Sequence, residues 1–182
     1  SKAVDEFIKK YPSDKYRFDK LEGNLAFRSI NENNKNCLII NSDLGNIPDF
    51  FSDIYEKIVS LDTPEKILIQ KARFKTKKIT NVVFETIDSD KTHSIEGNYD
   101  LIILNGIQIE NSHDLKMRIK NYLSKLKNHL NDNGCLCLAI KNKSGITITN
   151  GITSENDYFD NFNGYDSLLN SLGLKTESYW VL

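Results

Sequence analysis

Glu110, His113 and Asp114 lie close together just past the apolar stretch Leu101-Ile102-Ile103-Leu104. A carboxylate or a neutral imidazole within hydrogen-bond reach of a hydroxyl can take its proton as that oxygen attacks, so these three are candidate general bases. The same residues also suit a plain loop. There Glu110, Asn111 and Ser112 would be solvated, with Ser112 or Asp114 capping the helix that follows. A second carboxylate, Asp62, ends the apolar run Lys57-Ile58-Val59-Ser60-Leu61 and directly precedes Thr63-Pro64-Glu65. An acid at the carboxyl end of a buried strand faces the ligand crevice of an open α/β sheet. It also reads as a helix start, since Asp or Thr before Pro caps well. One turn can serve both purposes.

Other chemistries lack their residues. His93 and His129 read as surface residues, and no His, Cys or carboxylate cluster has metal-ligand spacing. The pair Cys135-x-Cys137 has no zinc-site companions. With Cys37 it makes an odd number of cysteines, all in apolar segments, which suits small buried hydrophobes in a reducing compartment. Neither a G-x-S-x-G elbow nor a P-loop is present. The formal net charge of -1 argues against a nucleic-acid binder. The one dense basic stretch, Lys71, Arg73, Lys75, Lys77 and Lys78, reads as a solvated helix end and loop. No apolar run approaches the ~20 residues of a membrane helix, and no signal-peptide pattern opens the chain. A cytoplasmic location is expected. The chain begins without Met, so it could be a piece of a longer protein.

The elements that must position these residues alternate. At 182 residues, 39% hydrophobic and 27% charged, the chain has the size and composition of one ordinary globular domain. Residues 1–35 are mixed and polar, with short helices expected at Val4 to Lys10 and Leu21 to Ile30. Continuous apolar runs then predict buried strands at 37–40, 57–61, 81–86, 99–104 and 135–140. Helices are expected at Ile47 to Tyr55, from Pro64 through Ala72, at Asp114 to Leu130 and at Tyr165 to Leu172. Asn131-Asp132-Asn133-Gly134 is expected to turn with positive φ. Residues 141–164 form a long polar segment, and Tyr179 to Leu182 a final strand. Strand–helix alternation implies βαβ units and a mainly parallel sheet within a domain spanning 36–182.

The order of these signals resembles the class I S-adenosylmethionine-dependent methyltransferase family over roughly residues 20–180. Cys37-Leu38-Ile39-Ile40-Asn41-Ser42-Asp43-Leu44-Gly45-Asn46 stands in the place of motif I. Tyr99-Asp100-Leu101-Ile102 resembles motif IV, and His129-Leu130-Asn131-Asp132-Asn133-Gly134 is similar to the turn before strand five. Ile140-Lys141-Asn142-Lys143-Ser144-Gly145-Ile146, followed by Ser154-Glu155-Asn156-Asp157 and Phe162-Asn163-Gly164-Tyr165, resembles methyltransferase domains of surface-polysaccharide and glycosylation pathways. The resemblance implies a three-layer αβα sandwich with a mostly parallel Rossmann-like sheet. It implies S-adenosylmethionine as cofactor, with Asp62 on the ribose hydroxyls, Asp88 near the adenine, and Asn41, Asp43, Gly45 and Asn105 bordering the same crevice. Glu110 or His113 would serve the acceptor, a glycan or glycan precursor.

The chain departs from the family pattern in two ways. The strand-one acid is replaced by Ile39, and the first two glycines of G-x-G-x-G by Asn41 and Asp43, leaving Gly45. Asn and Asp tolerate left-handed backbone better than most residues. Their side chains nevertheless take up space where the cofactor's methionine part would lie, and Asp43 would face its carboxylate. The usual closing hairpin is also missing, so the sheet is expected to lack, or be truncated at, its last strand. Two readings stay open: an active methyltransferase, or a non-catalytic module that kept the fold and serves as a scaffold. A nicotinamide-binding Rossmann domain is weaker, because G-x-G-x-x-G is absent too. Tyr158, Phe159, Phe162, Tyr165, Tyr179 and Trp180 could line a sugar- or protein-binding surface, or pack a long loop onto the sheet.

Overall fold

The computed structural model describes residues 35–87, 95–106, 114–139 and 162–176. In chain order they form β1 (Asn36–Ile40), α1 (Asn46–Phe51), β2 (Lys57–Asp62), α2 (Pro64–Lys77), β3 (Val82–Thr86), β4 (Tyr99–Asn105), α3 (Leu115–Lys127), β5 (Leu130–Ala139) and α4 (Phe162–Ser171). They fall into two compact units. One runs to Asn105 and resumes over His129–Leu138; the other comprises Gly106–Asn128 and the residues from Ala139 onwards.

The first unit is the sheet, with strands in the order β3-β2-β1-β4-β5. β1 pairs in parallel with β2, Cys37 opposite Ile58, and with β4, Ile39 opposite Ile103. β2 pairs in parallel with β3, Ser60 opposite Phe84. Parallel neighbours need a crossover, and α1 and α2 supply it between β1, β2 and β3. The strand order reverses between β1 and β4, so the crevice of this mostly parallel α/β sheet opens at their carboxyl ends.

Cys37 and Ile39 of β1, Ile58 of β2, and Leu101 and Ile103 of β4 share one sheet face. They pack with Ile47 and Phe51 of α1, Tyr55, and Phe74 of α2. The alternate residues Leu38, Ile40, Leu61, Ile102 and Leu104 are also buried, which explains the unbroken apolar runs of the central strands. Burying each such side chain stabilises the fold by about 1.5–3 kcal/mol. At the edge, Val83 and Glu85 of β3 are exposed. α2 begins with Pro64 at its first turn, carries Lys75 and Lys77 in its last, and is closed by Lys78 at φ 60°.

Several elements differ from their expected limits. α1 stops at Phe51 rather than Tyr55. The Asn81 side-chain amide donates to the Ser52 and Tyr55 carbonyls, both at 2.8 Å, and draws these groups away from a helical ladder. The expected Asn131–Gly134 turn lies inside β5 instead, and no residue in it has positive φ. Pairing with β4 overrides the turn chemistry: the Tyr99 amide donates to the His129 carbonyl at 2.8 Å, and Asn131 Nδ2 to Asp100 at 2.6 Å. Gly134 is required for a different reason. A Cβ there would lie 2.8 Å from the Tyr99 carbonyl oxygen. His129 is half-buried, its Nδ1–H donating to the Gly97 carbonyl.

In the second unit α3 ends at Lys127, short of the expected Leu130, with Ile119, Leu123 and Leu126 fully buried along one stripe. α4 begins three residues before the expected Tyr165 and is stopped by Gly173 at φ 72°. The two expected helices before residue 35, the polar segment 141–161 and the final strand 179–182 lie outside the described residues. So does the question of a missing last strand.

Candidate functional site

β1 delivers its chain into the loop Asn41–Gly45, which turns through left-handed backbone at alternate residues: φ is 59° at Asn41, 56° at Asp43 and 90° at Gly45. These are the three places where the family pattern has glycine, and the tolerance of Asn and Asp for this geometry is what lets the turn form. At Gly45 a second constraint applies. A Cβ would stand 3.0 Å from Gln70 Cγ and 3.2 Å from Phe74 Cε2, so a side chain there would press on helix α2 as well as strain the backbone.

Asp62, at the end of β2, is completely buried. Its Oδ2 accepts the Asp43 amide at 2.7 Å and its Oδ1 the Thr63 amide at 2.7 Å. Thr63 makes no side-chain cap to α2, so the expected helix-start role falls to Asp62 through the Thr63 amide. Lys66, one turn along α2, places its Nζ 3.2 Å from Asp43 Oδ1 and 3.8 Å from Asp62 Oδ1. Burial pushes the Asp62 carboxyl up from its ordinary value, against the lowering by the Thr63 amide, the Lys66 ammonium and the Asp43 amide. At the end of β4, Asn105 Nδ2 donates to the Asn41 carbonyl at 3.0 Å.

Under the loop lies a closed ring of polar side chains. Ser42 and Ser60 share a hydroxyl hydrogen bond of 2.7 Å, Ser60 donates to Gln70 Oε1 at 2.7 Å, and Gln70 Nε2 donates back to Ser42 at 2.8 Å. The same amide donates to the Asp43 carbonyl at 2.7 Å. All three side chains are buried, and each donor and acceptor in the ring is used, as burial demands. Further along α2, Arg73 donates to the Leu44 carbonyl and, at 2.9 Å, to Asn46 Oδ1, and it pairs with Asp49 at 3.5 Å. Lys77 also pairs with Asp49. Lys66, Gln70, Arg73 and Lys77 stand four, three and four residues apart, on one face of the helix. That face grips the loop and the first turn of α1, from Ser42 to Asp49. The basic stretch is therefore not wholly solvated: Lys71, Lys75 and Lys78 are exposed, whereas Arg73 and Lys77 are engaged.

The fold thus brings together Asn41, Asp43, Gly45, Asp62 and Asn105. Asp88, Glu110 and His113 lie outside the described residues. Asp114 stands at the N-cap of α3 without a side-chain cap bond. Asp100 points the other way, to the amino end of the sheet. There it accepts the Asn36 amide at 2.9 Å, the Lys35 amide at 3.2 Å and the Asn131 side chain. Desolvation would raise its pKa, but these hydrogen bonds outweigh it and hold the carboxyl below its usual range. A polar cavity of about 460 Å³ adjoins it, lined by Asn98, Leu130 and residues 131–133. Cys37 is fully buried, Cys135 and Cys137 are half-buried, and burial pushes the Cys137 thiol up to about 12. Among the described residues no group of three His, Cys, Asp or Glu could hold a metal, and no helix is long and apolar enough to cross a membrane.

Sequence reasoning missed the α2 grip and the Ser42–Ser60–Gln70 ring. Two signals carry them: the polar stripe at helical spacing, and a serine in the middle of an otherwise apolar strand.

The cofactor implied by the family can be tested on these residues. A ribose diol needs an acid that accepts two hydroxyls, and a carboxylate has about four lone-pair sites. Asp62 fits by type and position, with the loop backbone beside it and Asn105 across β1. Its two amides leave a lone-pair site on each oxygen, and Lys66 stands 3.8 Å from Oδ1.

No protein-family model matches the chain, and no curated protein matches it. Solved structures do. An S-adenosylmethionine-dependent methyltransferase from Clostridium acetobutylicum ATCC 824 is 16% identical with a TM-score of 0.53, over 74% of this chain and 56% of that one. A putative O-methyltransferase from Nostoc punctiforme PCC 73102 is 17% identical with a TM-score of 0.60, over 78% and 46%. A precorrin 8w decarboxylase from Methanobacterium thermoautotrophicum is 12% identical with a TM-score of 0.58, over 85% and 73%. The chain spans about half the length of the first two. At such identities the likeness is one of fold: this is the Rossmann-like fold of class I S-adenosylmethionine-dependent methyltransferases, and a fold does not fix a reaction.

Proposed function

We propose that this chain is an S-adenosylmethionine-dependent methyltransferase domain acting in the cytoplasm on a glycan or glycan precursor of surface-polysaccharide synthesis. The observation that carries this reading is the meeting of Asp62 with the left-handed loop Asn41–Gly45 and Asn105, at the carboxyl ends of β2, β1 and β4, where the strand order reverses. In this reading Asp62 takes the ribose hydroxyls and Asp88 lies toward the adenine. Asn41, Asp43, Gly45 and Asn105 border the rest of the cofactor. When bound, the cofactor supplies an electrophilic methyl group on sulfonium. The protein supplies proximity and line of approach, and Glu110 or His113 accepts the acceptor hydroxyl's proton. The polysaccharide setting rests on the segment after β5 and its resemblance to glycosylation-pathway domains.

A specific observation favours a second reading, a non-catalytic module that kept the fold. Both Asp62 oxygens accept backbone amides of the chain itself, and Lys66 stands 3.8 Å from Oδ1. Such a module would act by binding a protein partner, with the carboxyl-terminal aromatic segment as its surface.

Calorimetric titration with S-adenosylmethionine and S-adenosylhomocysteine separates the two. The first reading expects binding by the wild type, weakened at least about tenfold in Asp62→Asn, the equivalent of losing one charge-assisted hydrogen bond. No binding of either compound to the wild type would overturn the first reading and favour the second.

A further inference from the structure

We infer that Lys66 is a positioning residue that gates this crevice: its ammonium clasps Asp43 to Asp62 and must be displaced before a ribose diol reaches the Asp62 carboxylate. The inference rests on the reading of Asp62 as the ribose acid. It goes beyond that reading because it assigns a residue no glycine-loop pattern contains.

Geometry carries the inference. Lys66 Nζ stands 3.2 Å from Asp43 Oδ1 and 3.8 Å from Asp62 Oδ1, so one cation bridges a carboxylate from the loop and one from the strand end. Without that cation, two carboxylates held together by the Asp43 amide bond would repel each other. The strand-end acid is fully buried, whereas Lys66 and Asp43 keep 28% and 21% of their side-chain surface exposed. The clasp is therefore the solvent-facing layer over a dry acid. Gln70, the next α2 residue of the grip, is held far more firmly: wholly buried, it makes three hydrogen bonds. Lys66 makes ion pairs to its two carboxylates, from a helix face that solvent reaches. Of the α2 contacts over Asp43 and Asp62, it is the one that can open without unpacking the loop.

Partial exposure sets the signature. Salt screens a partly solvated ion pair, with a Debye length of about 10 Å at 0.1 M and about 3 Å at 1 M. Adenosine is neutral and carries the same diol, so salt acts on the clasp and not on the ligand's charge.

The test is adenosine binding by calorimetry to the wild type, Lys66→Met, Asp43→Asn and the double variant, in about 0.05 M and about 1 M sodium chloride. The methionine keeps the apolar stem on an exposed helix face, and circular dichroism checks that each variant folds. The gate requires Lys66→Met to bind adenosine about fivefold tighter than the wild type at low salt. It requires the double variant to be no tighter than Lys66→Met, which alone removes both ion pairs, whereas Asp43→Asn leaves the pair to Asp62. High salt should tighten binding to the wild type and leave Lys66→Met unchanged. Lys66→Met binding as the wild type does, or more weakly, overturns the gate while leaving Asp62 as the ribose acid. Adenosine binding to none of the four proteins at millimolar concentration overturns the gate and the cofactor reading together.

Discussion

Two aspartates at opposite ends of the same sheet, both buried, are shifted in opposite directions, and the difference lies in what their oxygens bond. Asp100 has two backbone amides and an asparagine side chain, enough to overcome desolvation. Asp62 has two amides and one cation at 3.8 Å, and burial prevails. A third buried polar group fares worse. The Tyr55 hydroxyl is buried with no partner among the described residues, and burial raises its pKa well above the ordinary phenol value. Its ring meanwhile packs edge-on to Phe51 at 5.7 Å. Tyr55→Phe keeps that contact and removes a desolvated hydroxyl. It should leave stability unchanged or raise it by about 1 kcal/mol, read as a higher urea midpoint at constant slope. A loss above about 1 kcal/mol would mean the hydroxyl has a partner after all.

At the scale of elements, periodicity made the parallel sheet legible and tertiary contacts made its details illegible. Cys37–Ile40 and Leu101–Leu104 are apolar at every position because both their faces are buried, and a continuous run says so directly. The α2 grip was hidden because Lys66, Gln70, Arg73 and Lys77 look like an ordinary wet helix face. Only the loop they reach tells them apart from one. The Asn131–Gly134 stretch misled for the opposite reason, since four turn-forming residues were recruited into β5 by pairing with β4. Gly134 tests that pairing. Its backbone is not left-handed, so alanine there brings no φ strain, only a Cβ 2.8 Å from the Tyr99 oxygen and 3.0 Å from the Asn131 oxygen. Both obstacles are backbone. Gly134→Ala should cost about 1–3 kcal/mol, and amide exchange should speed up in β4 and β5 ahead of β1 and β2. Wild-type stability would show that the strand start can shift freely.

Across the whole molecule, the crevice end and the amino end of the sheet divide two tasks between these aspartates. Asn41, Asp43, Gly45 and Asp62 could be placed in one crevice from sequence because strand ends are where an α/β sheet presents its ligand site. Asp100 opens its expected strand and so falls at the amino end, but nothing in the sequence shows which groups its oxygens bond. The structure makes it a tie between the starts of β1, β4 and β5, and this has a pH signature. Asp100 has a folded-state pKa below its unfolded value. Its contribution is therefore fully present above the unfolded value of about 3.9 and is lost as pH falls through the folded one. Asp62 is raised, so its contribution is present below the unfolded value and is lost as pH rises through the folded one. Asparagine imitates the protonated acid at either site. Asp100→Asn should therefore be destabilised by about 1–3 kcal/mol at neutral pH, with the deficit shrinking as the medium is acidified below about pH 4. Asp62→Asn should show the reverse trend, its deficit largest in acid and smallest at neutral pH. Urea midpoints of the two variants against the wild type, taken from about pH 3 to pH 7, give two difference curves of opposite slope. Parallel curves would mean that the hydrogen bonds around Asp100 do not outweigh its burial, and that it shares the strain of Asp62 rather than anchoring the far end of the sheet.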